Sequence, residues 1–138
     1  MEKKKNAFLR GKTVYPIALF GEGARVSSHT PLFLRTVEEL LEQVGMPSLE
    51  SLGLSFAMQT LLYHLPLIYF QVEEEGFSRE DYFLGFHLLL QKKEKLSAVC
   101  LPGVGDDAIF QAALPLCEQS QALLLTTEKD LFDYLISY

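Results

Sequence analysis

The sequence predicts an α/β fold: a three-layer sandwich with a mainly parallel sheet of about four strands, in the order β-α-α-β-α-β-α-β-α. Three observations predict it. Short runs of apolar, β-branched and aromatic residues alternate with longer segments of helical periodicity. The connections between them are too short to reverse the chain, so successive strands run the same way with helices on both faces. The 138 residues, 49% hydrophobic and 22% charged, suffice for one core, and no internal repeat divides them.

Residues 1–12 read as a basic flexible arm and 13–138 as a single α/β domain. The first strand is expected at Val14 to Phe20, bounded by Gly21 and Gly23. Pro16 has no amide to give to a ladder, which places this strand at a sheet edge. The first helix has two possible starts. Thr30 with Pro31 is one, and Thr36 with Glu39 in a capping box is the other. Leu40, Leu41 and Val44 form its stripe, and Gly45 with Pro47 ends it.

Ser48 or Ser51 caps the second helix, in which Leu54, Met58, Leu61, Leu62 and Leu65 recur at helical spacing until Pro66. Leu67 to Val72 is a strand that stops at Glu73, Glu74, Glu75 and Gly76. Ser78 caps a third helix with Phe83, Phe86, Leu89 and Leu90 inward. Glu80 and Asp81 lie at its positive end, and Lys92, Lys93 and Lys95 at its negative end. Leu96 to Leu101 is an interior strand, and Asp106 or Asp107 caps a helix through Ile109, Ala112 and Ala113 that Pro115 should kink or shorten. A last strand, Ala122 to Thr126, leads into a helix capped by Thr127, with Leu131, Leu135 and Ile136 as its inner face.

Charge is unevenly distributed. Up to Arg35 there are seven bases and two acids, about +5, which leaves about −11 for the rest of a chain of net charge −6. Such an arm is either solvated or reaches an acidic partner or nucleic acid. Cys100 and Cys117 lie in apolar stretches without zinc-ligand spacing, as reduced thiols of a cytoplasmic protein would. The run TVYPIALF is short for a signal peptide and contains Pro16. Ser51 to Val72 lacks Asp, Glu, Lys and Arg and has the length of a membrane span. Gln59, His64, Pro66 and Gln71 interrupt it, so it reads as a buried helix followed by a strand, with no membrane segment.

In a parallel sheet, ligands bind at the edge where the strands end. Here each strand ends beside acids: Glu22; Glu73 to Glu75; Asp106 and Asp107; Glu128 and Asp130. Carboxylates meeting there would hold Mg²⁺ or Mn²⁺, and the ion would activate water for phosphodiester cleavage. The helix dipole accounts for the same acids without a metal, since most of them open a helix. GEGARV has two glycines of a dinucleotide fingerprint but Val26 in place of the third, and PGVGDD has no Walker lysine. His29, His64 and His87 are scattered, with no nucleophile at a telling distance.

The stretch from Asp107, DAIFQAALPLCEQSQALLLTTEKDLF, resembles the C-terminal part of PIN-domain nucleases, in which an Asp opens a helix and the next strand leads into a T-x-D-x-D-F-like turn. The resemblance implies metal-dependent RNA cleavage, with Asp107, Glu128 and Asp130 as metal-binding carboxylates. It covers about the last quarter of the chain. The family's first strand ends in a metal-anchoring Asp, where this chain has Phe20, Gly21 and Glu22.

Two functions follow. One is a cytoplasmic, non-catalytic accessory or regulatory subunit that binds a protein partner or itself, and needs no cofactor. Its tyrosines, Tyr63, Tyr69, Tyr82, Tyr134 and Tyr138, exceed what one small core encloses. The other is a Mg²⁺- or Mn²⁺-dependent nuclease or phosphoesterase. It would use Glu22, Asp107, Glu128 and Asp130, with the basic arm on the nucleic acid backbone.

Overall fold

A computed structural model describes residues 14–24, 29–46 and 50–137. The arm expected at 1–12, the alternative cap Ser48 and the terminal Tyr138 lie outside them. The elements are β1 (Ile17–Gly21), β2 (Leu32–Leu34), α1 (Val37–Gln43), α2 (Leu52–Leu62), β3 (Leu67–Gln71), α3 (Arg79–Gln91), β4 (Ala98–Cys100), α4 (Asp107–Ser120), β5 (Leu123–Leu125) and α5 (Glu128–Ser137). The sheet has five strands in the order β2-β3-β1-β4-β5. β3, β1, β4 and β5 are parallel, and β2 runs antiparallel along β3.

Side chains on alternate strand positions serve opposite faces. Ile17 and Leu19 of β1 pack with Leu67, Tyr69, Ala98 and Cys100 beneath α1, α2 and α5. Ala18 and Phe20 pack with Ile68, Phe70 and Val99 beneath α3 and α4. Phe20 meets Phe70, Tyr82 and Phe86 at ring-centroid distances of 5.6, 5.6 and 4.9 Å, which anchors α3 to the sheet. This is the expected three-layer sandwich with one more strand.

The extra strand is Leu32–Leu34. Three residues between Pro31 and Arg35 are too few to show a period, and tertiary pairing with β3 decides their state. The first helix therefore starts at Thr36, whose side chain accepts from the Glu39 amide at 3.1 Å. Glu39 returns its carboxylate to the amide of Arg35, at 2.7 Å, rather than to that of Thr36. The expectation of an edge position for β1 is overturned, because the strand lies between β3 and β4. Pro16 stands just before it, where no ladder amide is required. Its carbonyl still accepts from Ser97 at 3.0 Å, and the amide of Ile17 reaches Pro66 at 3.2 Å.

Ser51 caps α2, with its hydroxyl accepting from Leu54 at 3.2 Å. Thr127 receives the Asp130 amide at 3.1 Å. Ser78 occupies the N-cap of α3 without capping it; its hydroxyl binds the amide and carbonyl of Glu74 instead, each at 3.1 Å. The helix begun at Asp107 is not shortened by Pro115 and runs on to Ser120. Several stripes are narrower than expected, since Leu41, Leu62, Phe83 and Ile136 are exposed while Tyr82 is wholly buried. Among the described residues no helix is long and apolar enough to cross a membrane.

Candidate functional site

The chain runs from β1 to β3 on one side and then crosses back to β4 and β5 on the other. The loops after β1 and β4 thus diverge at the edge where the parallel strands end, and this is where doubly wound sheets bind ligands. In this protein the β3–α3 loop is laid across that point. A Cβ on Gly76, which follows β3, would lie 2.3 Å from the carbonyl oxygen of Gly103, which follows β4. Since β1 lies between β3 and β4, the loop passes over the end of β1.

That loop delivers Glu75 into the crevice. Its Oε1 accepts from the amide of Glu22 at 3.0 Å, the hydroxyl of Ser51 at 2.6 Å and the amide of Gly53 at 2.9 Å. Its Oε2 accepts from the amide of Leu52 at 3.0 Å. The carboxylate therefore sits at the N-terminus of α2, where unpaired amides and the helix dipole favour negative charge. The Glu75 amide in turn donates to Oε2 of Glu22 at 3.1 Å.

The approach depends on two glycines. A Cβ on Gly53 would stand 2.6 Å from Cα of Gly21, so the start of α2 touches the end of β1 backbone to backbone. The glycines of GEG serve this contact and a second one, in which Gly23 lies against the Gln71 side chain. Arg25 and Val26 of that motif lie outside the described residues.

Two buried tyrosines line the same end. Tyr69 donates to the carbonyl of Glu22 at 2.7 Å, and burial, with the charges of Glu75 and Glu22, pushes its hydroxyl well above the ordinary tyrosine range. Tyr82 accepts from the Gly76 amide at 2.8 Å and is pushed up to about 12, chiefly by burial. Further out, His29 Nε2 lies 3.2 Å from Oδ1 of Asp81, whose other oxygen accepts from Glu73 at 2.8 Å. Arg79 binds Asp106 through both Nε and a terminal nitrogen, which holds the Asp106 carboxyl below its usual range.

The four carboxylates proposed for a metal are held by other partners or stand apart. Glu22 is engaged with Glu75. Asp106 rather than Asp107 is the N-cap of α4, receiving the Ala108 amide at 3.0 Å, and Asp107 is exposed in the first turn. Glu128 accepts from Gln59 Nε2 at 2.9 Å, and Asp130 is exposed in the first turn of α5. Among the described residues no three His, Cys, Asp or Glu side chains form a group that would hold a metal ion. Hydrogen-bond donors converge on the Glu75 carboxylate, three on Oε1 and one on Oε2, and donors so arranged suit an anion and not a cation.

Acids at the strand ends were legible in the sequence, and so was the Glu22 position. The partnership of Glu75 with the start of α2 was not, because it joins residues 22 to 24 positions apart. Arg79 and the tyrosines carry no motif that would single them out. Compared with protein-family models, with characterised proteins and with solved structures, the chain matches none.

Proposed function

We propose that the chain works by binding another protein through its outer surface, as an accessory or regulatory subunit, and not by catalysis at the end of its sheet. One observation carries this reading. The crevice where a parallel sheet would take a cofactor or substrate is filled from within by the Glu75 carboxylate, on four hydrogen bonds of the chain's own making. Large apolar residues left to solvent, among them Phe77, Leu62, Met46 and Phe132, are the side chains that such contacts would use.

The test is affinity capture with the full chain as bait, followed by chemical crosslinking. The expected result is a partner crosslinked beside one of these residues and lost when that residue, Phe77 at one end of the sheet or Leu62 at the other, is changed to Ser. A turnover of RNA or phosphoesters that Asp107→Asn or Glu128→Gln abolishes would overturn the reading in favour of the metal-dependent one.

A further inference from the structure

The ends of the sheet differ in charge. Phe77, 71% exposed, is the most exposed large apolar residue among those described. It follows Glu73 and Glu74 in the β3–α3 loop and precedes Glu80, all three exposed, and the Arg79–Asp106 pair brings the exposed Asp107 to the same end. Leu52, 46% exposed, completes an apolar surface there. A Cβ on Gly103 would lie 3.8 Å from its Cδ1, and Gly103 is the residue against which Gly76 rests. The patch is thus apolar at its centre and acidic around it.

At the other end, Lys92, Lys93 and Lys95 follow α3, and Val14 leads into β1. The thirteen residues before Val14 read MEKKKNAFLRGKT: Lys3, Lys4, Lys5, Arg10 and Lys12 against Glu2, with Phe8 and Leu9 side by side among the bases. This is the complement of the Phe77 patch in both charge and hydropathy. The segment joins the fold at the end opposite the patch. Thirteen extended residues reach at most about 45 Å. When copies stack end to end, that length begins beside the next copy's patch, whereas within one molecule it must first retrace the whole sheet.

We propose that residues 1–13 of one copy dock on the Phe77 and Leu52 surface of a second copy, with Phe8 and Leu9 covering the apolar centre and the bases facing Glu73, Glu74, Glu80 and Asp107. Copies stacked end to end in this way repeat the contact from one to the next. The proposal rests on the reading that the chain works through protein contacts, and it names this chain as a partner.

Sedimentation of the full chain over a hundredfold range of concentration tests it, together with binding of a labelled peptide of residues 1–13 to a full-length variant in which Lys3, Lys4 and Lys5 are changed to Glu. The expected mass climbs past that of a dimer and returns to the monomer in high salt, as screening removes the charge term. The charge-reversed variant stays monomeric but binds the peptide, and adding Phe77→Ser weakens that binding about tenfold or more. A monomer mass at every concentration overturns the proposal; if the variant also binds the peptide, the segment folds back on its own molecule. Peptide affinity unchanged by Phe77→Ser overturns it as well. Association that survives charge reversal overturns it too but leaves the broader reading standing, since the chain then pairs through another surface.

Discussion

The amide of Glu22 donates to the carboxylate of Glu75 at 3.0 Å, and the amide of Glu75 donates back to the carboxylate of Glu22 at 3.1 Å. Two acids that like-charge repulsion would drive apart are held together by each other's main chain. The start of α2 supplies the remaining donors to Glu75.

Replacing Glu75 therefore costs more than an ordinary surface change. Glu75→Gln removes the charge from four hydrogen bonds and should lower stability by about 2 to 3 kcal/mol, whereas Glu22→Gln, with one side-chain bond affected, should cost about 1 kcal/mol. Urea unfolding at unchanged m-value checks both. Equal stability of the Glu75 variant and the parent would show that the amides find water as readily as carboxylate.

Gly53→Ala separates helix propensity from packing. Within a helix the change is worth about 1 kcal/mol in favour of alanine. Here the new methyl group would meet Cα of Gly21 at 2.6 Å and Oε1 of Glu75 at 2.7 Å, so the backbone has to give. The expected outcome is a net loss of about 1 to 3 kcal/mol in thermal or urea unfolding, and a gain would refute the backbone contact.

How much of this was readable beforehand depends on distance along the chain. Thr36, Ser51, Asp106 and Thr127 were among the expected caps, because a cap and its amide lie two or three residues apart. Ser78 had the same local pattern and bonds Glu74 instead, since the tight loop before α3 offers nearer partners. Pro16 points to an edge place for β1, but the proline rule applies within a ladder, and the ladder starts one residue later. β2 has no signature of its own, being three residues that become a strand only beside β3. At the candidate site, the acids were visible as residues but their partners were not, because Glu75 bonds to segments far away in sequence.

Alkaline stability should follow the buried tyrosines. An unfolded tyrosine ionises near 10, while Tyr82 holds its proton to about 12 in the fold and Tyr69 is also raised. Their contribution is complete below pH 10 and is lost as the pH rises toward 12, because the unfolded chain releases those protons first. Near-ultraviolet absorbance should show both ionising only as the fold opens, and Tyr82→Phe should flatten the loss of stability across that range.

Divalent cations should leave the melting temperature unchanged. Glu22 is engaged by Glu75, Glu128 by Gln59 and Asp106 by Arg79, and no three potential ligands come together among the described residues. The check is unfolding of chelator-treated protein in millimolar Mn²⁺ or Mg²⁺, with Ca²⁺ at matched ionic strength as control. A selective rise of several degrees that Asp107→Asn removes would point to a carboxylate site.

The loop over the end of β1 also bears on how the chain reaches and leaves its native state. Glu75 bonds to partners 22 to 53 residues away, so the clasp cannot form until β1, the start of α2 and the turn into α3 have met. Glu22 and Glu75 lie about as far apart in the chain as the paired residues of β1 and β3, so closing the clasp adds little loop entropy once those strands have met. Interactions absent from the folding barrier act on the rate of escape rather than the rate of arrival. A clasp made after that pairing would show in escape and not in arrival: Glu75→Gln is expected to speed unfolding and leave the folding rate nearly unchanged, which stopped-flow measurements of both rates check.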